Sequence, residues 1–355
     1  MQKYCKYCGA ANLNTEDFCV RCGNAFEQNT NYDEDYYLPK NFILKQIYCI
    51  TRVIGEGGFG ITYEAVNKYT YEKVAIKELY CKELVNRNVH KSSNLEMTYS
   101  SNKEAFKKSK ERFIKEAEVL IKYSDNYGIV HILDYFEENE TAYIVMNYLD
   151  GISLQEYLKI NGKMPWKDVI AMFLPVMETL DNIHRDGLIH RDISASNIMV
   201  LKDNMLCLVD FGSAKTVLSN ETTNTSAFAK KGYTPIEQYS EKSKIGPPAD
   251  VYALAAVLYQ CIVGKLPPDS LQRVVIDDYK TINENNIAVP KKLDQIFQRA
   301  LAVKANERYD SVRDFSDELY SLIAVKSNKH IYGIIGVLLG ILIILALIYY
   351  FHFIK

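Results

Sequence analysis

His190–Gly212 reads HRDISASNIMVLKDNMLCLVDFG, and the spacing of its polar residues decides how the rest of the chain is read. Asp192 carries a carboxylate that can take the proton of an attacking hydroxyl. Asn197, five residues on, offers an amide oxygen to a metal ion. Asp210 stands 18 residues beyond Asp192, after the apolar residues Leu206, Leu208 and Val209, and opens a DFG triplet. A carboxylate at the end of that apolar run can hold Mg²⁺ against nucleotide phosphates. Either motif recurs by chance; both, in this order and at this distance, rarely do.

Upstream, Gly55, Gly57 and Gly60 fit G-x-G-x-x-G, where missing side chains let backbone amides approach phosphates. Alone, that pattern is shared with dinucleotide-binding folds. Here it runs into a strand-like segment, Ile61–Val66, and not a helix, and VAIK follows at 74–77. With these motifs together the chain resembles the protein kinase family. The resemblance covers roughly residues 42–322. It implies an α+β, bilobal kinase fold with a β-rich N-lobe and a helical C-lobe. It also implies ATP and Mg²⁺ (or Mn²⁺) as cofactors, and a bacterial-type serine/threonine kinase activity on protein substrates.

The same resemblance assigns roles. Lys77 grips the α/β-phosphates and pairs with a glutamate on the next helix. That helix starts near Glu104, after a polar insertion at 82–103, and its F-x-x-E-A pattern falls on Phe113 and Glu116, with Glu118 the other candidate. Ile54, Ala75 and Met199 join the nucleotide-binding set. Met146 is the gatekeeper behind the adenine, while Asn147 C=O and Leu149 N–H bond the base. Asn197 and Asp210 hold Mg²⁺, and Asp192 orients the hydroxyl. Thr62 departs from the valine that usually covers the base, although its methyl can still do so.

A second departure concerns charge. The serine/threonine pattern puts lysine two residues after the catalytic aspartate; here that residue is Ser194. Counting back from Glu237 in YTPIEQY, the position that usually carries a threonine is Lys230. The two residues have exchanged places, so Lys230 is expected to swing over the site and supply the missing cation. The Ser/Thr-rich stretch 216–226 is expected to be autophosphorylated, with Arg191 the cation a phosphate there would engage. Glu237 and Arg308 match the family's structural ion pair. Helices are expected at 166–186, with Pro175 a kink, and from Asp250 onward.

Lys+Arg 42 against Asp+Glu 44 gives a net charge of −2, which argues against nucleic acid as a partner. The first residues lack the apolar core of a signal peptide. Cys5-x-x-Cys8 and Cys19-x-x-Cys22, each trailed by glycine (Gly9, Gly23), look like a bacterial zinc ribbon. Four thiolates suit a closed, structural Zn²⁺, and two disulfides would need an oxidising compartment. At the other end, Ile331–Phe351 is 21 residues without a charge, about 32 Å as a helix and enough to span a membrane. Lys326 and Lys329 precede it, placing the kinase on the cytoplasmic side of the cell membrane in a single-pass protein. Gly336-x-x-x-Gly340 suits packing of two such helices, so a homodimer is expected through it or through the kinase domain. The expected divisions are a zinc ribbon at 1–26, a flexible acidic linker at 27–41, the kinase domain at 42–325 and a transmembrane helix at 331–353. A nucleotide-binding pseudokinase that scaffolds through its ribbon is the alternative, kept open by Ser194 and Thr62.

Overall fold

A computed structural model of the chain describes residues 2–4, 11–13, 36–58, 60–211, 215–216, 230–240 and 243–324. Strands β1 (Gln2–Tyr4) and β2 (Ala11–Leu13) pair antiparallel and bracket Cys5 and Cys8 in sequence. The four ribbon cysteines, residues 217–226 and the segment 331–353 lie outside the described residues. No helix among the described residues is long and apolar enough to cross a membrane.

The N-lobe follows in chain order. It comprises β3 (Ile43–Leu44), β4 (Tyr48–Gly57), β5 (Gly60–Asn67), β6 (Lys73–Leu79), a hairpin of β7 (Val85–Asn86) and β8 (Glu96–Met97), helix α1 (Lys103–Leu120), β9 (Ile132–Glu138) and β10 (Thr141–Asn147). Six of these strands make one antiparallel sheet in the order β3-β4-β5-β6-β10-β9. Its register sorts the side chains. Gly55 stands opposite Thr62, Thr62 opposite Lys77, and Ala75 opposite Met146, so these residues share one face. The other face carries Ile61, Tyr63, Ile76 and Val145, all fully buried.

One sequence expectation needs correction here. The linker at 27–41 does not run to its end as a flexible segment: Tyr37 and Leu38 are buried in the N-lobe core. The polar insertion at 82–103 supplies the reason. Its Arg87 guanidinium is buried, donating from Nε to the Tyr36 carbonyl at 2.7 Å and from Nη2 to Glu78 Oε2 at 2.8 Å. Glu78 also accepts from the hydroxyls of Tyr63 (2.9 Å) and Tyr143 (2.7 Å), while the Leu38 amide donates to Tyr63 at 3.2 Å. Burying a carboxylate and a guanidinium is tolerable only when their remaining donors and acceptors are met, as they are here. The inserted hairpin therefore clamps the incoming chain onto the sheet.

The C-lobe contains β11 (Gly151–Ser153), α2 (Leu154–Asn161), α3 (Trp166–Arg185), β12 (Leu188–Ile189), β13 (Ile198–Leu201), β14 (Leu206–Leu208), β15 (Lys215–Thr216), α4 (Pro247–Val263), α5 (Ser270–Val275), α6 (Lys291–Ala300) and α7 (Val312–Ile323). Ser153 starts α2 with a capping box closed by Glu156. Helix α4 is apolar nearly all round and buried, so it forms the axis of the lobe. Gly264, at φ +86°, ends it in the left-handed conformation that glycine adopts without strain. Pro175 lies inside α3, and Gly128 packs so closely on that turn that a Cβ would come within 2.7 Å of Val176.

Truncating Arg87 would strand the Glu78 carboxylate in the core. Arg87→Ala is expected to lower the unfolding free energy by about 3–5 kcal/mol. Lys122→Ala, which removes an exposed pair with Asp186, should cost less than about 1 kcal/mol. Urea denaturation of both variants checks the contrast.

Candidate active site

The catalytic loop hangs from one carboxylate. Asp250, fully buried in the first turn of α4, accepts from the backbone N–H of His190 (2.8 Å) and of Arg191 (2.8 Å), and sits 2.8 Å from His184 Nε2. Burial alone would raise this carboxyl, but the hydrogen bonds and the neighbouring imidazoles hold it below its ordinary value. Burial pushes His190 down, so its ring is neutral. His190 Nδ1 then accepts from the Asp192 amide at 3.2 Å, and Nε2–H faces the Val209 carbonyl at 3.3 Å. Its ring lies 4.3 Å from that of Phe211. A single side chain thus ties the catalytic loop to the DFG strand.

The functional groups converge from both lobes. Asn197 donates from Nδ2 to the Asp192 carbonyl (2.8 Å) and to Asp192 Oδ2 (2.9 Å), and its carbonyl accepts from Val209 N at 2.9 Å. Val209 precedes Asp210, whose carboxylate makes an ion pair with Lys77 of β6. Lys77, Asp210, Asn197 and Asp192 are thereby joined in one sequence of contacts. Asp210 and Arg191 both adopt left-handed backbone, at φ +63° and +67°. Non-glycine residues hold that conformation only where surroundings impose it, commonly at functional sites. Arg191 Nε is buried with no partner among the described residues.

Lys77 makes its ion pair with Asp210 and not with Glu116, which corrects the pairing expected from the sequence. Glu116 is buried in α1 and acts on Lys77 only through space. Burial pushes its carboxyl up to about 8, with Lys77 opposing and Asp210 adding to the rise. The Asp210 carboxylate is half exposed at the site, whereas Glu116 is buried. On Lys77 burial works against the proton, but the Asp210 and Glu116 carboxyls outweigh it and raise its affinity.

The activation segment returns to this centre at Lys230. Its ammonium lies 2.9 Å from Asp192 Oδ2, 3.1 Å from Ser194 Oγ and 3.5 Å from Ser196 Oγ. Behind it, Arg308 grips Glu237 with two hydrogen bonds, at 2.7 and 3.1 Å, and also binds the carbonyls of Pro248, Ala302 and Val303. The nucleotide-side residues are placed by the sheet. Ile54, Gly55 and Gly57 lie on β4, Gly60 and Thr62 on β5, Ala75 and Lys77 on β6, and Met146 with Asn147 ends β10. Leu149 follows, and Met199 lies on β13, opposite Ser153. A Cβ on Gly60 would collide with the Glu78 carbonyl, so only glycine fits the close return of β5 past β6.

No motif points to Glu56 of the glycine loop, which the upstream chain holds. Tyr37 Oη donates to its carboxylate and Lys82 pairs with it, while Tyr36 accepts from Lys82 at 2.8 Å. Among the described residues no group of His, Cys, Asp and Glu is poised as a closed metal site. The oxygens facing the cleft do suit a hard cation shared with phosphates. Asp210 is half exposed, and the Asn197 amide is oriented by its two donations, leaving Oδ1 with a single 3.3 Å contact from Ser196.

A glycine-edged sheet over a helical lobe, meeting at a lysine, two oxygen donors and a proton acceptor, defines the protein kinase class of fold. The chain belongs to that family: residues 48–329 match the protein kinase domain. It is similar to the serine/threonine-protein kinase PrkC of Bacillus subtilis, 27% identical over 278 residues, covering 77% of this chain and 40% of that protein. It is likewise similar to serine/threonine-protein kinase B of Synechocystis, 27% identical over 321 residues, covering 87% of this chain and 49% of the relative. The chain thus spans less than half the length of these relatives. Among solved structures it matches the apo form of PpkA-294 with TM-score 0.68 and 33% identity, over 81% of this chain and all of that one.

A carboxyl raised to about 8 makes stability depend on pH. Between the ordinary carboxylate value and about 8, the folded state keeps a proton at Glu116 that the unfolded chain has released. The contribution is full at low pH and is lost as pH rises through that window. Differential scanning fluorimetry should therefore show Tm falling more steeply from about pH 5 to about pH 8 in the wild type than in Glu116→Gln. Parallel curves would remove the assignment.

Proposed function

We propose that the protein is a serine/threonine protein kinase, held at a membrane by residues 331–353 with its catalytic domain on the cytoplasmic side. One observation carries the reading: Lys77 pairs with Asp210, and Asn197 bonds both to Asp192 and to Val209 beside Asp210, which links four groups from both lobes and distant parts of the sequence. Family membership and relatives named as serine/threonine kinases support it.

In this reading the adenine lies between Ile54, Thr62 and Ala75 above and Met199 below, with Met146 behind it and the backbone of Asn147 and Leu149 at its edge. The amides of Gly55, Gly57 and Gly60 approach the phosphates, and Lys77 holds them by charge, with Glu116 set beside it. Mg²⁺, held by Asp210 and Asn197, would neutralise charge on the phosphate oxygens. Asp192 accepts the proton of the substrate hydroxyl at the carboxylate oxygen that Asn197 orients. The hydroxyl oxygen bonds to the γ-phosphorus as the bond to the ADP oxygen breaks, and that oxygen keeps the electron pair. Most of the rate then comes from positioning and charge, as expected where the protein supplies little covalent chemistry.

The outer segments complete the proposal. Cys5, Cys8, Cys19 and Cys22 would hold structural Zn²⁺, supported by their paired spacing and trailing glycines. The uncharged run from Ile331 supports the membrane anchor, and Gly336 with Gly340 a homodimer contact. Arg191, with its unmet buried Nε, would receive a phosphate carried by residues 216–226.

A radiolabelled ATP assay on purified protein tests the central claim. Wild type should label a protein substrate, and Asp192→Asn should lower the rate by about 10²- to 10⁴-fold. Wild-type protein that binds ATP yet transfers nothing would instead be a scaffold. Separately, the protein should carry zinc that Cys5→Ser with Cys8→Ser abolishes, and removing residues 326–355 should move it from the membrane fraction to the soluble one.

A further inference from the structure

We propose that Lys230, carried by the activation segment, is the cation that stabilises the transferring phosphoryl group, a role the catalytic loop cannot fill with Ser194. The inference rests on the kinase reading above and deepens it. Three contacts carry it. The Lys230 ammonium lies 2.9 Å from Asp192 Oδ2, the proton-accepting carboxylate, and 3.1 Å from Ser194 Oγ, the residue where the sequence pattern would place a lysine. It also reaches Ser196 at 3.5 Å, and Ser196 bonds to the Asn197 amide oxygen at 3.3 Å. The charge therefore stands where hydroxyl, phosphate and metal-holding oxygens meet.

Its backbone is fixed, so the position is not that of a wandering surface lysine. The Lys230 amide donates to Thr234 Oγ1 at 2.9 Å, and its carbonyl accepts from the amides of Tyr233 (3.0 Å) and Thr234 (3.1 Å). Thr234 is buried, and its carbonyl accepts from Ser270 at 2.7 Å. Gly232 closes the turn at φ +85°, where a Cβ would be strained and would press on Leu266 at 3.0 Å and on the Pro267 carbonyl at 3.1 Å. Tyr233 reaches Gln260 of α4. The turn thus aims a four-carbon side chain at Asp192 from a scaffold rooted in the core helix.

As the substrate oxygen bonds to the γ-phosphorus and the bond to the ADP oxygen breaks, the hydroxyl proton passes to Asp192. Asp192 loses its negative charge at that moment, which releases the lysine to the phosphoryl oxygens. A cation that changes partner in step with the reaction stabilises the transition state more than the ground state, the condition for raising kcat. One regulatory consequence follows. Because the charge arrives on the activation segment, the centre is complete only when residues 230–234 are docked.

Steady-state kinetics with Lys230→Met, Lys230→Arg, Lys230→Thr and the double exchange Ser194→Lys/Lys230→Thr tests the assignment. Lys230→Met and Lys230→Thr should lower kcat by about 100- to 1000-fold, with KM for ATP and Tm close to wild type, while Lys230→Arg keeps a larger share of activity. The exchange should recover activity over Lys230→Thr, because the charge returns from the catalytic loop. Turnover of Lys230→Met near wild type, or above it as for an inhibitory ion pair, overturns the inference while the kinase reading stands. If the exchange variant does not fold, the Met and Arg variants still decide. An inactive wild type sinks the kinase reading and this inference with it.

Discussion

The Asp250 carboxylate is the constraint on which the active site depends. It is wholly buried, and it orients two consecutive loop amides and a histidine from α3. Leaving such a group unpaired would cost several kcal/mol, so the loop has one low-energy arrangement. Helix α4 supplies the rigidity, because a helix apolar on all sides is surrounded by the core and cannot rotate without exposing that surface. From that anchor, His190 fixes Asp192 and the DFG strand together. The left-handed backbone at Arg191 and Asp210 is tolerated because the hydrogen bonds around it over-determine the conformation.

The N-lobe solves the same problem differently. Its sheet has one face toward the cleft and one buried, and the buried face hides an Arg87–Glu78 pair with the hydroxyls of Tyr63 and Tyr143. Glu78 is the neighbour of Lys77, so alternation along β6 sends one side chain to the phosphate side and the next to the core. The core network therefore sets the height of the strand that presents Lys77. The same guanidinium holds the Tyr36 carbonyl, and the adjoining tyrosines meet Glu56 of the glycine loop. The chain entering the domain is built into the nucleotide-side edge.

The motifs made much of this architecture legible. Strand β5 encloses the strand-like segment Ile61–Val66, and α3 fills the stretch read as a helix at 166–186 to within one residue. The position of Lys230 could be reached by counting back from Glu237, since both lie on one short segment. What the sequence hid was non-local. Composition marks 82–103 as a polar insertion, and nothing local shows that Arg87 is satisfied by Glu78 and the Tyr36 carbonyl. The partner of Lys77 was likewise invisible. Motif spacing places Glu116 near it, but whether that carboxyl is charged depends on burial, a property of the assembled lobe and not of the helix sequence.

The ion pairs of the C-lobe divide by burial, and the division matches what each must do. Arg308 with Glu237 has no exposed guanidinium surface and accounts for every donor it can, so parting them strands a charge at several kcal/mol. A fastening that must never open belongs there. The Lys230–Asp192 pair is partly open to solvent on both sides. Pairs so exposed are typically worth about 1 kcal/mol or less. A cation held that weakly, on a backbone held that firmly, can change partner at little cost while staying within reach of the same few oxygens. The lysine is pre-positioned without being trapped, and that combination follows from placing the charge on a docked turn at the rim of the cleft.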